Sequence, residues 1–324
     1  LALGTLALLA GREGIGKSTI AYDIGAQISR GELPGCRKGE PKSVAVVATE
    51  DSWEHTIVPR LMGAGADLER LLRVDVVTAE GTEGTLSLPR DLSGLEQLIR
   101  DEDIALVLLD PLMSRLGDLD THKDSEVRQA LEPLVAVAGR TGAAILGLIH
   151  LNKSGGTDPL TLIMGSRAFA AVARAIFFAM KDAEDESKRF LGQPKNNLGR
   201  TDLPTIEYRI ETAHVADTEE GPVFTGRVVW GEETGQSIRE LLEATGEAAE
   251  AVTATAEAAQ WLIEYLTSVG GKSASSKVKR EGREAGHSES ALKRARMKKK
   301  ITTEAVGFPR ETFWCLPGQF HDQR

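Results

Sequence analysis

With 324 residues, 41% of them hydrophobic, the chain is long enough for about two domains with real cores, and its composition is that of a globular protein rather than a fibrous or disordered one. No apolar run reaches transmembrane length, and two cysteines, Cys36 and Cys315, are too few for a disulfide framework or a zinc cluster, so a reducing, cytoplasmic setting is expected. A formal net charge of −9 argues on its face against nucleic acid, yet residues 272–300 carry 11 Lys and Arg against 3 Asp and Glu, a local +8 that leaves −17 on the remainder. A basic module is therefore joined to an acidic one.

The chain opens on Leu1 rather than Met, so further sequence upstream is expected. Residues 1–10 have the hydropathy of a signal-peptide core, but they lack a basic flank and run straight into a glycine-rich stretch, which makes them a first strand. That stretch, Gly11-Arg12-Glu13-Gly14-Ile15-Gly16-Lys17-Ser18-Thr19, fits the pattern G-x-x-x-x-G-K-[ST]. Ile20, Ile24 and Ile28 follow at helical spacing, completing the strand, loop and helix that the pattern requires. Glycines let successive backbone N–H groups converge on a polyphosphate, and a helix N-terminus adds partial positive charge. Lys17 is placed to neutralise the β- and γ-phosphates and the Ser18 hydroxyl to bind a divalent cation, so ATP and Mg²⁺ are the expected ligands.

Beyond a loop at residues 31–42, residues 43–48 (SVAVVA) read as a buried parallel strand ending in Thr49-Glu50-Asp51. Two carboxylates at the C-terminal end of such a strand lie where open α/β sheets bind ligands. A helix over residues 53–63, a weaker strand over 74–78 and a helix marked by Leu95, Leu98 and Ile99 lead to residues 104–109 (IALVLL), a strand closed by Asp110-Pro111. This is the Walker B layout, in which the aspartate serves Mg²⁺. Residues 113–123 are a polar loop containing Arg115. A helix through Val127, Leu131, Leu134, Val135 and Ala138 and a strand over 143–149 ending in His150 come next, followed by a loop with Lys153. A helix and strand then lead to residues 189–193, 205–210 and 223–230, which read as antiparallel edge strands. The alternation predicts an α/β, doubly wound, mainly parallel sheet over residues 1–233.

Residues 234–252 change character: Ser237 with Glu240 forms a capping box over a short helix, and GEAAEAVTATAEAA reads as a tether. From residue 253 the stripe Ala258, Trp261, Leu262, Tyr265 and Leu266 predicts a packed helix, followed by one over 275–285 and a third N-capped by Ser288. On the third, Leu292 and Ala295 point inward while Lys293, Arg294 and Arg296 point out; residues 301–303 and 312–316 pair as a hairpin around 307–309. Three helices and a wing with a cationic third helix describe a winged helix-turn-helix over 253–324 that binds duplex DNA.

Asp110 is followed by Pro111 rather than Glu, so the carboxylate that orients attacking water has to come from elsewhere. Glu50 is the natural candidate, because it ends the strand expected beside the Walker B strand at the level of the phosphates. In this respect the chain resembles the RecA-like ATPases, and within them the plasmid replication helicase RepA and its phage and mobile-element relatives. The matching pieces are GREGIGKST, ATEDSWEHTIVPRL, VLLDPL and LIHLNKS. The resemblance implies a ring, hexameric in the first instance, that hydrolyses ATP between subunits and moves on or unwinds DNA. It implies that His150 senses the γ-phosphate, and that Arg174, or failing that Arg167, acts as an arginine finger. The run Pro194-Lys195-Asn196-Asn197-Leu198-Gly199 resembles an element of the bacterial RadA helicases, implying that Lys195 reaches a neighbouring subunit's nucleotide; Asn197 stands where those proteins have arginine. In a ring, Lys153 and Arg115 would line a DNA channel.

Plainer readings stand beside these: Glu50 and Asp51 as a helix-start acid pair, His150 as a core histidine, Arg174 and Lys195 as solvated charges, the basic segment as a solvated face. Two other functional classes are also open at this point, a recombination or repair mediator acting on single-stranded DNA and an ATP-switched DNA-binding regulator. A P-loop kinase has the least support, because no lid or acceptor site for a small substrate is evident.

Overall fold

Strands covered on both faces need no polar alternation, and the near-continuous apolar runs of the first half of the chain become the centre of one sheet. The structure, a computed structural model, describes residues 1–77, 83–117, 119–152, 158–165, 167–182, 185–200, 203–306 and 310–317. The chain divides into two units, Leu1–Leu242 and Glu243–Arg324.

In chain order the first unit contains β1 (Leu6–Gly11), α1 (Lys17–Ser29), β2 (Ser43–Ala48), a π-helical turn (Trp53–Ile57) running into α2 (Val58–Gly63), β3 (Leu71–Arg73) and the minimal hairpin β4 (Val76–Val77) and β5 (Glu83–Gly84). It continues through α3 (Leu92–Asp101), β6 (Ile104–Asp110), a 3₁₀ turn (Met113–Arg115), α4 (Asp124–Thr141), β7 (Ala144–His150), α5 (Arg167–Val172), β8 (Ala175–Lys181), β9 (Arg189–Asn196), β10 (Ile206–Thr218) and β11 (Gly221–Glu233). The sheet order is β11-β10-β9-β8-β1-β7-β6-β2-β3. Pairing is parallel from β8 to β3 and antiparallel from β8 to β11. Alternate residues of each central strand enter two cores: Leu6, Leu8 and Ala10 of β1 pack with α3, α4 and α5, whereas Ala7 and Leu9 pack with α1, α2, Tyr208 and Val228. This mainly parallel sheet with helices on both faces fits the P-loop fold of RecA-like ATPases.

Local departures from the sequence reading have local causes. The edge strand is β3, a little earlier than the run at 74–78, because pairing with β2 ends at Arg73, whose guanidinium closes a 2.7 Å ion pair with Asp75. The helix expected over 53–63 is π-wound at its start, with Ile57 N–H donating to Ser52 O. Pro59 has no N–H and its ring crowds the carbonyl four residues back, so the register widens just before it. The antiparallel strands β10 and β11 are longer than expected.

The stretch expected as a tether is helical. After the Ser237–Glu240 box, in which Ser237 N–H donates to Glu240 Oε2 at 2.7 Å, α6 runs unbroken over Ile238–Ser268. Alanine and glutamate have high helix propensity, which outweighs their low complexity as a signal for a flexible linker. The second unit adds β12 (Lys272–Ala274), α7 (Ser275–Glu284), α8 (Glu289–Lys298), β13 (Thr302–Val306) and β14 (Glu311–Cys315), in a small sheet ordered β12-β14-β13. Ser288 caps α8 as expected, accepting from Ala291 N–H at 3.2 Å; the hairpin turn at 307–309 lies outside the described residues. Leu262, Leu266, Val278, Leu292, Ala295, Ile301 and Trp314 form a core of this unit's own.

Glu96 ties α3 to α4 by accepting hydrogen bonds from Arg140, and it also accepts one from Arg100 a turn along its own helix; these hold its carboxyl down from 4.5 to about 2. A depressed carboxylate stabilises the fold above its unfolded-state value and loses that contribution as pH falls through the folded one. Glu96→Gln is therefore expected to melt slightly below the wild type at neutral pH, with the two melting temperatures converging between pH 4.5 and about 2. Thermal denaturation across that range measures it.

Candidate active site

The parallel strands deliver their C-terminal ends to one edge of the sheet. Gly11 of β1 is in register with His150 of β7, and Ala48 of β2 with Asp110 of β6. β2 does pair with the Walker B strand β6, the adjacency that a role for Glu50 requires.

Between β1 and α1 the glycine-rich loop wraps tightly. Gly16 sits at φ 95°, and a Cβ there would meet Ile210 Cδ1 at 3.0 Å. A Cβ on Gly11 would meet Ile15 Cγ2 at 2.9 Å and Ala179 O at 3.1 Å, so both positions demand glycine. Arg12, Glu13 and Gly14 are exposed, Ile15 is buried, and Ser18 and Thr19 open α1 half-buried.

Lys17 is only 8% exposed. Its ammonium donates to Gly11 O at 2.9 Å and Arg12 O at 3.1 Å, and lies 3.3 Å from His150 Nδ1. An ammonium can only donate, so His150 presents a lone pair at Nδ1 in this arrangement. Burial pushes Lys17 below its ordinary range, and the carboxylates of Asp110, Glu13 and Glu50 push back.

On the acid side, burial raises the Asp110 carboxyl; a hydrogen bond from the Ser18 hydroxyl opposes this, and Asp51 and Glu50 raise it further. Buried negative charge beside a hydroxyl, with further carboxylates nearby, is an oxygen-donor set suited to a hard cation. No group of three or more metal-ligating side chains occurs among the described residues. The Ser18 and Asp110 pair fits Mg²⁺, which keeps waters and substrate phosphates as its other ligands.

Glu50 is exposed just beyond β2, with no hydrogen bond or ion pair among the described residues, whereas its neighbour Asp51 is held by Arg60 at 2.7 Å. The two acids are thus differentiated, Asp51 tied down and Glu50 free to act. The pair follows directly on the buried strand, as expected: β2 ends at Ala48, and Glu50 is exposed two residues beyond it.

Other site expectations meet a different structure. Arg115, expected in a channel, is 2% exposed and donates from Nη2 to Thr49 Oγ1 at 2.7 Å. Lys195, expected to reach a neighbouring subunit, has its ammonium on its own chain, donating to Ala170 O and, at 2.8 Å, to Ala173 O; it closes the C-terminus of α5, where a cation is favoured. Arg174 and Arg167 are both exposed. Lys153 lies outside the described residues.

On α8, Lys293 is exposed. Arg294 is exposed too, yet its Nε donates to Thr255 Oγ1 at 3.0 Å. Arg296 does not point out: it is half-buried, its guanidinium 5.4 Å from the Trp314 ring centroid. A helix only ten residues long, packed on a small sheet, has little surface to spare, and position 296 falls toward β14.

Two residues of the site went unread in the sequence. Tyr208 of β10, fully buried, donates its hydroxyl to Ile15 O in the phosphate loop at 2.9 Å. Trp230 of β11 donates from Nε1 to Asp23 Oδ2 on α1 at 2.8 Å, and its ring lies 5.9 Å from that of Tyr208. The only sequence signal was strand alternation, which says that a residue faces inward but not what it meets.

Residues 1–156, which include β1 through β7, match the family model of an AAA domain. No curated protein matches the chain. The matched domain and the mainly parallel sheet together fit a P-loop ATPase of the AAA/RecA-like type, with ATP as the nucleotide.

Tyr208→Phe removes one buried hydrogen bond while keeping the ring, so a loss of about 1 kcal/mol in chemical denaturation is expected, together with weaker ATP binding through a loosened loop. Equilibrium unfolding and nucleotide titration read the two effects.

Proposed function

We propose that this chain is a ring-forming, RecA-like ATP-driven DNA motor, a helicase or translocase resembling plasmid RepA, whose C-terminal unit is a winged helix that engages duplex DNA. The observation that carries the hydrolytic part is the convergence of Lys17, Asp110, His150 and the open carboxylate Glu50 at one sheet edge, with β2 beside β6.

Lys17 holds charge where the β- and γ-phosphates lie, and the loop N–H groups cradle them. Mg²⁺, held by Ser18 and Asp110, supplies further charge neutralisation when bound. Glu50 orients a water for in-line attack and accepts its proton as the new P–O bond forms and the bond to the β-phosphate oxygen breaks, leaving ADP and inorganic phosphate. His150, in contact with Lys17, registers the loss of the γ-phosphate and passes it to the segment after β7. That segment is anchored by Met164 N–H donating to His150 O at 3.0 Å and Asn152 N–H donating to Leu162 O at 2.7 Å. The transition-state charge is completed in trans by Arg174, which is exposed as such a role needs, with Arg167 as the other exposed candidate.

The DNA part is supported by charge. Lys293, Lys298 and Lys299 are exposed on and just after α8, without ion pairs among the described residues, whereas Lys279 and Arg283 of α7 are paired to Glu289 at 3.3 and 3.0 Å. Lysines left open on one helix form an electrostatic footprint for phosphates.

Lys17→Ala is expected to abolish ATP hydrolysis with the fold intact, and Glu50→Gln to lower kcat by about 100-fold or more while retaining ATP binding. Steady-state ATPase assays and nucleotide titration decide both. Replacing Lys293, Lys298 and Lys299 together by Ala should weaken duplex binding for every sequence and flatten the slope of log K against log salt by about 3. An unchanged slope would remove the winged-helix assignment.

A further inference from the structure

Arg115 is a buried charge that the mechanism above does not use. It closes the 3₁₀ turn Met113–Arg115 after the Walker B aspartate, and that turn is pinned on both sides: Leu112 N–H donates to Leu148 O on β7 at 3.0 Å, and Leu88 N–H donates to Arg115 O at 2.7 Å. From this fixed base the side chain crosses to the end of β2, where Nη2 meets the Thr49 hydroxyl at 2.7 Å. Thr49 is the residue directly before Glu50. The guanidinium is near enough to Glu50 to feel its charge, which counters the downward push of burial on Arg115.

Packing does not explain this residue. Its Nε and Nη1 are buried without a hydrogen-bond partner among the described residues, and each unsatisfied buried donor is destabilising, so a methionine or leucine of similar volume would serve a core better. A buried, incompletely satisfied arginine with one short bond to a specific hydroxyl is instead a fixed strut. Nor is it a DNA contact, since it is 2% exposed. The strut joins the strand end that carries the metal-side carboxylate to the strand end that carries the open one. It also lines a cavity of about 430 Å³ with Thr49, Asp51, Trp53 and Arg73.

We propose that Arg115 is a positioning residue for ATP hydrolysis: through its hydrogen bond to Thr49 Oγ1 it fixes the end of β2 and thereby the placement of the Glu50 carboxylate relative to Asp110. The inference rests on the reading of Glu50 as the acid that orients water. It requires that the strut act on the chemical step and leave ATP binding alone, since neither Thr49 nor Arg115 belongs to the phosphate loop.

The test uses the exposed end of the strut, because replacing buried Arg115 risks the fold. Thr49→Val keeps shape and removes the accepting hydroxyl, Thr49→Ser retains it, and each is measured for kcat and KM of ATP in the full chain, alone and combined with Glu50→Gln. Expected is a fall in kcat of about 10- to 100-fold for Thr49→Val, with KM and ADP affinity within about twofold of wild type, near-normal kcat for Thr49→Ser, and no further loss when Thr49→Val is added to Glu50→Gln. Normal kcat in Thr49→Val alongside an inactive Glu50→Gln overturns the strut and leaves the role of Glu50 standing. An equal loss in Thr49→Ser, or a loss that adds to that of Glu50→Gln, also overturns it. Wild-type turnover by Glu50→Gln itself would remove the reading of Glu50 on which the strut depends.

Discussion

Burial of the Lys17 ammonium is the constraint around which the first unit is arranged. A cation that is 8% exposed needs acceptors on every side, and it takes them from Gly11 O, Arg12 O and His150 Nδ1. Those acceptors come from β1, the loop after it and the end of β7, so β1 and β7 have to be neighbours in parallel register, as they are. Once that pair is fixed, β6 follows beside β7 and β2 beside β6, and the carboxylates of Asp110 and Glu50 come to the same edge. The geometry of the site thus follows from satisfying one buried charge among the parallel strands of the sheet, which all end on one side.

The carboxylates divide by environment. Asp110 is buried and raised, with the Ser18 hydroxyl on it; Asp51 is tied by Arg60; Glu50 is open. Three acids close together, one suited to a metal, one structural and one unengaged, form a site in which surroundings assign roles that residue type alone does not. Behind them the antiparallel extension of the sheet does structural work of its own: Tyr208 holds the phosphate loop by its Ile15 carbonyl, and Trp230 holds α1 through Asp23. A loop that must present N–H groups to a ligand has few other ways to stay in shape without one.

The second unit has its own core, and its charge is sorted by pairing. Glu289 neutralises Lys279 and Arg283, Trp314 covers Arg296, and Thr255 engages Arg294, which leaves Lys293, Lys298 and Lys299, on and just after α8, in the open basic surface. A count of cations overstates such a surface; the partners decide how much of it faces solvent.

What the sequence determined by itself were the features encoded within a few residues of one another: the phosphate loop with its strand and helix, the Walker B strand closed by Asp110, the buried runs of β2 and β7, and the caps at Ser237 and Ser288. Periodicity and glycine placement suffice for these because the forces that make them act locally. The tertiary structure alone decided which strand lies beside which, that Arg115 crosses to Thr49 rather than facing a channel, that Lys195 closes α5, that Arg296 turns toward Trp314, and that Tyr208 braces a loop 193 residues away in sequence. The stretch read as a tether but found helical is a different case, a misreading of local sequence, since the helix propensity of alanine and glutamate was a stronger signal than low complexity. A charged or polar side chain takes its role from the partner that satisfies it, and that partner is supplied by the topology of the sheet.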